Sequence, residues 1–335
     1  MILEGRESSS PCSSFTPGNR KRYLFILNPA GRNGRNRFDW KRISKTVRKR
    51  LEGVAVVEEA LTKGPGDAEN IARKAVHDGV DVVVATGGDG TINEVLNGFF
   101  EHGDPVPSSK TVCLGILPLG TGSDFVRALN WSLSIEENLD RLANPTHRRI
   151  HVGCVECEGL EGMARQQRLF MNVASLGVSS ECAYVMPLYK WISNSQIAYK
   201  VGAMHGFLRW HPRRVRIKLD NGQTLNADAL TMVACGNGQY FGGGVKITPK
   251  GDPQTPMLNI VVINGYGLLG FLMGGRALRQ GKHLTWPRVD SHIAKEVTIE
   301  SKQKGDRMFF ELDGEIWGKC PAVVKTFRHT VDLIA

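Results

Sequence analysis

Three stretches in the first half of the chain are apolar almost throughout: YLFIL from Tyr23, VDVVVAT from Val80 and VCLGIL from Val112. A strand buried on one face alternates. A strand buried on both faces does not, so these read as parallel-sheet strands with cover on both sides. Each runs into a glycine-bearing loop, NPAGRNGR, GGDGT or PLGTGSDF, and then into a helix-like segment. Between the first two, GDAENIARKAVHDG sets Ala68, Ile71, Ala72, Ala75 and Val76 at helical spacing, with Asp67 at the N-cap position. Alternating strands and helices predict an α/β domain with a parallel, Rossmann-like sheet.

The pattern changes after about residue 150. RRVRIKLDNGQTLNADALTMVAC, MLNIVVING, EVTIESK and RMFFELDGEIW alternate or are β-branched, and Asn-Gly and Asp-Gly punctuate them. Asn221-Gly222 is a hairpin signal. The predicted organisation is a flexible Ser-, Pro- and Gly-rich tail over 1–22, an α/β domain over 23–150 and a β-rich sandwich over 151–335. The last segment of the sandwich is a candidate to return to the first domain. A cleft between the two domains is the natural site. No repeat at solenoid periods is seen. No apolar run nears the roughly 18 residues that span a bilayer, since GYGLLGFLMGG is short and half glycine, so membrane contact is expected to be peripheral.

Composition narrows the partners. The 335 residues carry 43 Lys and Arg against 33 Asp and Glu, a surplus of +10 that suits an anionic partner. There is no long basic run of the kind found in nucleic-acid tails. Seven cysteines, an odd number without a secretory signal, argue against a disulfide framework. Cys154 and Cys157 form a lone CxxC without the second ligand pair that zinc needs, and read as two strand cysteines. Glu4 and Glu7 are unlike an acid-poor transit peptide.

The loop Gly87–Thr91 carries the sharpest chemistry. Glycines let a backbone approach a ligand closely, successive N–H groups make an anion-binding concavity, and the following helix adds its positive end. In that helix Ile92, Val95, Leu96 and Phe99 share a face, and Thr91 and Glu94 have capping-box spacing. Capping leaves Asp89 unexplained. A carboxylate beside a phosphate cradle makes sense if it binds a metal or receives the proton of an attacking hydroxyl. The P-loop, protein-kinase and dinucleotide fingerprints are absent, and GNGQYFGGG lies in the β-rich half without a βαβ context.

The ordered set NPAGRNGR, TKGPGDA, GGDGTINEVLNG, PLGTGSDF, GNGQYFGGG and LDGE resembles the diacylglycerol kinase and sphingosine kinase superfamily of lipid kinases, from about Tyr23 onward. The likeness is greatest to the short bacterial-type lipid kinases and the short plant sphingoid long-chain base kinases, above all the plant type assigned to mitochondria. It implies an enzyme using ATP and Mg2+, with the first domain binding ATP and the second forming the lipid pocket. Asn28, Pro29, Ala30 and Thr62 would contact the nucleotide. Gly87, Gly88, Gly90 and Thr91 would hold phosphates and, with Asp89, bring the acceptor hydroxyl near. Glu94, Gly120, Thr121 and Gly122 would complete the ATP site. The resemblance gives the base as Asp89 in sphingosine kinases, or as the acidic Asp313–Glu315 segment in short bacterial-type enzymes, and both matches are present. Asp313-Gly314 also reads as a plain hairpin turn.

Two departures bear on ligands. Where relatives bind a structural magnesium, this chain has GDPQTPMLNIVV, with Thr255, Pro256 and Asn259 in place of the motif and Asp252 as the remaining candidate ligand. Where sphingosine kinases hold an amino headgroup with two acids, GVSSECAYV keeps Glu181 but has Ala183. Sphingoid bases are the first expected substrate, with diacylglycerol or phosphatidylglycerol as alternatives. Trp191, Trp210, Tyr189 and Phe207 interleaved with Lys190, Arg209, Arg213, Arg214 and Arg216 suit an anionic interface, or equally a core helix followed by a strand with a solvated basic face. An NAD kinase, which shares the GGDGT loop, and a non-catalytic binding module are the competing classes. The expected location is mitochondrial, or cytoplasmic with peripheral membrane association.

Overall fold

Valines in unbroken series need apolar cover on both sides, and the chain provides it by alternating strands with helices. In the computed structural model, residues 20–31, 34–107, 112–160, 163–189, 191–192, 195–303 and 308–335 are described. The expected tail lies outside them as far as residue 19, as does Lys190. The first half runs β1 (Lys21–Leu27), α1 (Arg35–Arg50), β2 (Ala55–Leu61), α2 (Asp67–His77), β3 (Val82–Gly87), α3 (Asp89–Gly98), a small hairpin β4 (Phe100–Glu101) and β5 (Asp104–Pro105), β6 (Cys113–Pro118), α4 (Asp124–Ala128), α5 (Ile135–Ala143) and β7 (His147–Ile150). The second half runs β8 (Gly153–Gly159), β9 (Arg165–Phe170), β10 (Val173–Gly177), α6 (Val178–Val185), α7 (Ser195–Arg209), β11 (Arg213–Leu219), β12 (Thr224–Gly236), β13 (Leu258–Asn264), α8 (Leu268–Arg279), β14 (Val289–Ala294), β15 (Glu296–Ser301), β16 (Phe309–Leu312), β17 (Glu315–Thr326) and β18 (Val331–Ile334).

The first sheet has the order β2-β1-β3-β6-β18-β7. Its pairs are parallel except β18 with β7. Along β3, Val83 and Ala85 face α2 and α3, whereas Val82 and Val84 face α1 and α5. All four are buried. That two-sided burial is why the strand does not alternate. The C-terminal strand β18 sits in this sheet between β6 and β7.

In the second sheet β10 pairs with both β12 and β16, so β10-β16-β17-β15-β11-β12 closes on itself around an apolar core. The β11–β12 hairpin turns at Asn221-Gly222, with Gly222 at φ 85°. The β16–β17 hairpin turns at Asp313-Gly314, φ 48° and 97°, and positive φ at both positions is the demand of a type I′ turn. Helices α6, α7 and α8 cover an outer cluster on β12 and β13. On β11 the plainer reading holds: Val215, Ile217 and Leu219 are buried, while Arg214, Arg216 and Lys218 face solvent and Lys218 pairs with Glu300 at 3.3 Å. Cys154 and Cys157 are buried and free on β8.

Helix α3 joins the halves. Asn97 Oδ1 accepts from Leu169 N at 3.1 Å and its Nδ2 donates to Leu169 O at 3.1 Å, so an amide side chain replaces a strand partner for β9. Asn93 Nδ2 donates to Leu169 O at 3.0 Å and to Asp313 Oδ2 at 3.0 Å. Leaving such buried groups unpaired costs about 1–3 kcal/mol each, so this seam fixes how the domains meet.

Candidate active site

The carboxyl ends of β1, β3 and β6 lie along one edge of the parallel sheet, where ligands of open α/β sheets bind. Asn28, after β1, donates its N–H to Thr86 O at 3.3 Å, and its Oδ1 accepts from Ala30 N at 3.0 Å, which holds the Asn28–Ala30 turn against the end of β3. Thr62 is buried and donates its N–H to Leu27 O at 2.9 Å. The loops after β3 and β6 touch backbone to backbone. Leu119 N donates to Gly87 O at 2.9 Å, and a methyl group on Gly120 would fall inside contact distance of Gly88 Cα and stand 3.1 Å from Gly88 N. Only glycine permits that approach. The first-turn N–H groups of α3 have no intrahelical acceptor and point to this edge.

Helix α3 begins earlier than its capping-box spacing predicts. Gly88 is the N-cap and Asp89 the first helical residue, so Thr91 lies inside the helix, buried, with its hydroxyl packed over Gly87. Glu94 does not reach back to its own helix. Its Oε1 accepts from Gly66 N at 2.9 Å and its Oε2 from Ala68 N at 3.0 Å, capping α2 instead. Asp67 likewise is the first residue of α2, behind the left-handed Gly66, and accepts from Lys63 N at 2.7 Å. A carboxylate from a neighbouring helix supplies the cap that local spacing assigned to Asp67. Glu94 thereby fixes the 62–68 segment beside Thr62.

Asp89 accepts from Asp124 N at 3.1 Å and from Phe125 N at 3.0 Å, one bond per carboxylate oxygen, and so caps α4. This ties the two glycine loops together. Asp124, absent from the sequence-derived residue set although it is the acid of PLGTGSDF, is 6% exposed. Its Oδ2 accepts from Gly243 N at 2.7 Å, so the GNGQYFGGG loop of the second domain closes on α4. Its Oδ1 is buried without a hydrogen-bond partner among the described residues. Burial, and then the charge of Asp89, push the Asp124 carboxyl up to about 6, against the pull of the Gly243 and Gly244 N–H groups.

The β16–β17 turn forms the facing wall. Asp313 points inward, its carboxylate accepting from Met171 N at 2.8 Å, Asn172 N and Val173 N at 3.0 Å, and Asn93 Nδ2 at 3.0 Å. It is committed to holding the turn, and burial raises its pKa against those donors. Glu315, two residues on, is exposed, and its Oε1 would stand 2.8 Å from a methyl group on Gly90 in the first turn of α3. Glu311, also missed in the sequence, is 3% exposed. It accepts from Gly314 N at 2.5 Å and from Ser175 Oγ, and burial pushes it up to about 7. No spacing rule on a strand marks such a residue.

Two other expected ligand residues stand apart. Glu181 on α6 is ion-paired with Arg209 at 3.0 Å. Asp252 accepts from Gln254 N at 3.0 Å within its own turn. Asn259 is fully buried, accepting from Lys250 N at 3.1 Å and donating to Ser291 Oγ and His292 O, each at 3.1 Å. These groups satisfy one another, and among the described residues no three His, Cys, Asp or Glu side chains gather to hold a metal ion. A structural magnesium does not fit there. The orphaned Asp124 oxygen beside Asp89 is different. Paired with phosphate and water oxygens, one or two carboxylates match the donor set that Mg2+ takes at nucleotide sites.

The family model described as "Diacylglycerol kinase catalytic domain" matches residues 22–155. The one described as "YegS C-terminal NAD kinase beta sandwich-like domain" matches residues 172–335. A diacylglycerol kinase of Bacillus subtilis is 29% identical over 315 residues, 92% of this chain and 95% of that one. One of Staphylococcus aureus is 28% identical over 94% of this chain and 93% of its own. Among solved structures, a putative diacylglycerol kinase of Bacillus anthracis superposes with a TM-score of 0.67 at 22% identity, over 94% of this chain and 96% of that chain. Yeast NADH kinase complexed with NADH gives 0.51 at 12% identity, over 95% and 84%. These structural likenesses speak for the fold alone. The relatives named here are bacterial, and the likeness to plant sphingoid-base kinases, with the mitochondrial location it carried, stays an expectation of the sequence.

Proposed function

We propose, starting from a chain that is a lipid kinase homologous to the bacterial diacylglycerol kinases, that it transfers the γ-phosphoryl group of ATP to the free hydroxyl of diacylglycerol. The observation that carries this reading is the meeting of Glu315, the first turn of α3 and the Asp89–Asp124 pair around one cleft. The α3 first turn and the Gly120–Gly122 loop offer N–H groups to phosphate oxygens. Asn28–Ala30 and Thr62 flank the nucleotide. Mg2+ carried by ATP would be held by Asp124 with Asp89 alongside, and when bound it neutralises phosphate charge.

Glu315 is the group that receives the proton. The acceptor oxygen bonds to the γ-phosphorus, the bond from phosphorus to the β,γ-bridging oxygen breaks, ADP leaves, and the hydroxyl proton passes to the Glu315 carboxylate. Asp89 holds α4, and Asp313 and Glu311 hold the turn that carries Glu315. Diacylglycerol is placed ahead of sphingoid bases on two grounds. The curated relatives are diacylglycerol kinases. The one acid retained for an amine headgroup, Glu181, is already paired with Arg209.

Incubation of the folded protein with labelled ATP and, separately, diacylglycerol, sphingosine, phytosphingosine, phosphatidylglycerol and NAD tests this. Transfer is expected to be fastest to diacylglycerol. Faster transfer to a sphingoid base reverses the order, and no transfer to any lipid sinks the reading.

A further inference from the structure

Helix α8 is turned inside out for a helix facing water. Such a helix normally buries its large apolar residues and exposes small or polar ones. Here Leu269, Leu272 and Met273, which share one face at i, i+3 and i+4, are 71%, 66% and 80% exposed. The inward side carries Gly270 and Gly274 beside the packed Phe271 and the buried Leu278. A methyl group on Gly274 would land in the Trp286 ring, and one on Gly270 would stand 3.0 Å from Tyr266 Cδ1. Those two rings pack together beneath the helix, centroids 5.3 Å apart. The glycines therefore seat α8 on aromatic rings and turn its bulk outward.

The patch continues across α7, joined by the Phe207–Phe271 ring contact at 4.6 Å. Met204 and Leu208 on α7 are 46% and 67% exposed, and Trp191 before it is 78% exposed. Basic residues predominate around the patch, with Arg209 paired to Glu181 at its edge. Residues 182–219 and 253–289 contain no Asp or Glu, while Lys200, Arg209, Arg276, Arg279 and Lys282 lie on or beside the two helices. A cluster of exposed apolar and aromatic side chains in predominantly basic surroundings complements an anionic bilayer surface.

We propose that α8, with the outer face of α7, is the membrane-docking surface of this enzyme, seated in the headgroup layer of an anionic bilayer; the inference rests on its reading as a lipid kinase. Leu269, Leu272 and Met273 enter the acyl boundary, and Arg276 and Arg279 bind lipid phosphates. The surface is coupled directly to the catalytic cleft. Lys246 N donates to Leu278 O at 3.2 Å, Arg279 Nη1 lies 4.0 Å from where a methyl on Gly244 would be, and Gly243 N holds Asp124. Docking therefore sets the GNGQYFGGG loop, and the cleft behind it, at the bilayer surface where the lipid hydroxyl lies.

Co-sedimentation of the full chain with vesicles of phosphatidylcholine, alone or with phosphatidylglycerol, tests it. Binding is expected to the anionic vesicles and to weaken with salt. Leu269→Ser/Leu272→Ser/Met273→Ser is expected to cut binding by about tenfold or more with an unchanged melting temperature, since binding scales with the apolar area inserted. Arg276→Gln/Arg279→Gln is expected to erase the preference for anionic vesicles. The triple variant should lose turnover on vesicle-borne diacylglycerol but keep it on a short-chain, water-dispersed one. If no lipid is phosphorylated at all, the functional reading fails while sedimentation still reports on the surface. Unchanged vesicle binding by the triple variant overturns the proposal. So does a wild-type dimer that ignores vesicles and becomes monomeric in the triple variant, since the face then belongs to a second copy.

Discussion

Replacing Glu315 by Gln keeps size and polarity but removes the ability to take a proton. The side chain is exposed, so stability is expected to change by no more than about 0.5 kcal/mol. If Glu315 receives the hydroxyl proton, kcat falls by about 10²–10⁴-fold, and the KM for ATP stays near wild type. At 1.36 kcal/mol per decade this is about 3–5 kcal/mol of transition-state stabilisation. Asp89→Asn is the matched contrast. Its single amide oxygen must serve the Asp124 and Phe125 N–H groups that two carboxylate oxygens serve now. Loss of one cap bond costs about 0.5–2 kcal/mol. Removing its charge also lets the Asp124 carboxyl fall back from about 6. Asp89→Asn is therefore expected to loosen α4, raising the KM for ATP more than it lowers kcat. Steady-state kinetics with ATP and diacylglycerol varied in turn, beside thermal melts, separate the two. The reasoning is refuted if Glu315→Gln keeps more than about a tenth of wild-type kcat, or if Asp89→Asn lowers kcat equally far at unchanged KM.

Gly120→Ala pushes a methyl group into Gly88 Cα, so the two glycine loops must part; if they hold the ATP phosphates as proposed, a displacement near 1 Å is expected to cost about 10²-fold in kcat/KM for ATP in the same assay. Asn97→Ala strands the N–H of Leu169, whose C=O still accepts from Asn93, and chemical denaturation should register a loss of about 1–3 kcal/mol, one unsatisfied buried group. Glu311, at about 7, and Asp124, at about 6, titrate above the unfolded carboxylate range. Between about 4 and those values the folded state holds more protons than the unfolded one, so their contribution is full below about pH 4 and is lost as pH rises through 6 to 7. Glu311→Gln can keep both the Gly314 and Ser175 hydrogen bonds, and melts across pH should show it more stable than wild type at pH 8, with a flatter profile; a profile identical to wild type counts against the shift.

The continuous apolar runs of β1, β3 and β6 and the helical spacing of α2 were legible because two-sided burial and a 3.6-residue period leave direct marks in sequence. So were the Asn221-Gly222 and Asp313-Gly314 turns, where positive φ selects residue types. The glycine loops marked the cleft because close backbone approach excludes side chains. What stayed hidden was the direction in which each acid points. Local spacing gave Thr91 and Glu94 to one cap, yet Glu94 serves α2, because a carboxylate binds whichever orphan N–H groups packing brings nearest. Asp89 caps α4, 35 residues ahead, by the same logic. Asp313 and Glu315 are two residues apart on one turn, but the first faces four donors inside and the second is exposed beside Gly90. Asp124, Glu311 and the inverted face of α8 had no local signature at all.

Sequence by itself determined the strands, the turns and the places where the backbone must be bare, since those depend on period, φ and missing side chains. Tertiary structure alone decided which carboxylate caps, which supports and which stays exposed beside the first turn of α3. Those roles depend on partners brought from distant parts of the chain, and on the burial that sets each proton's affinity.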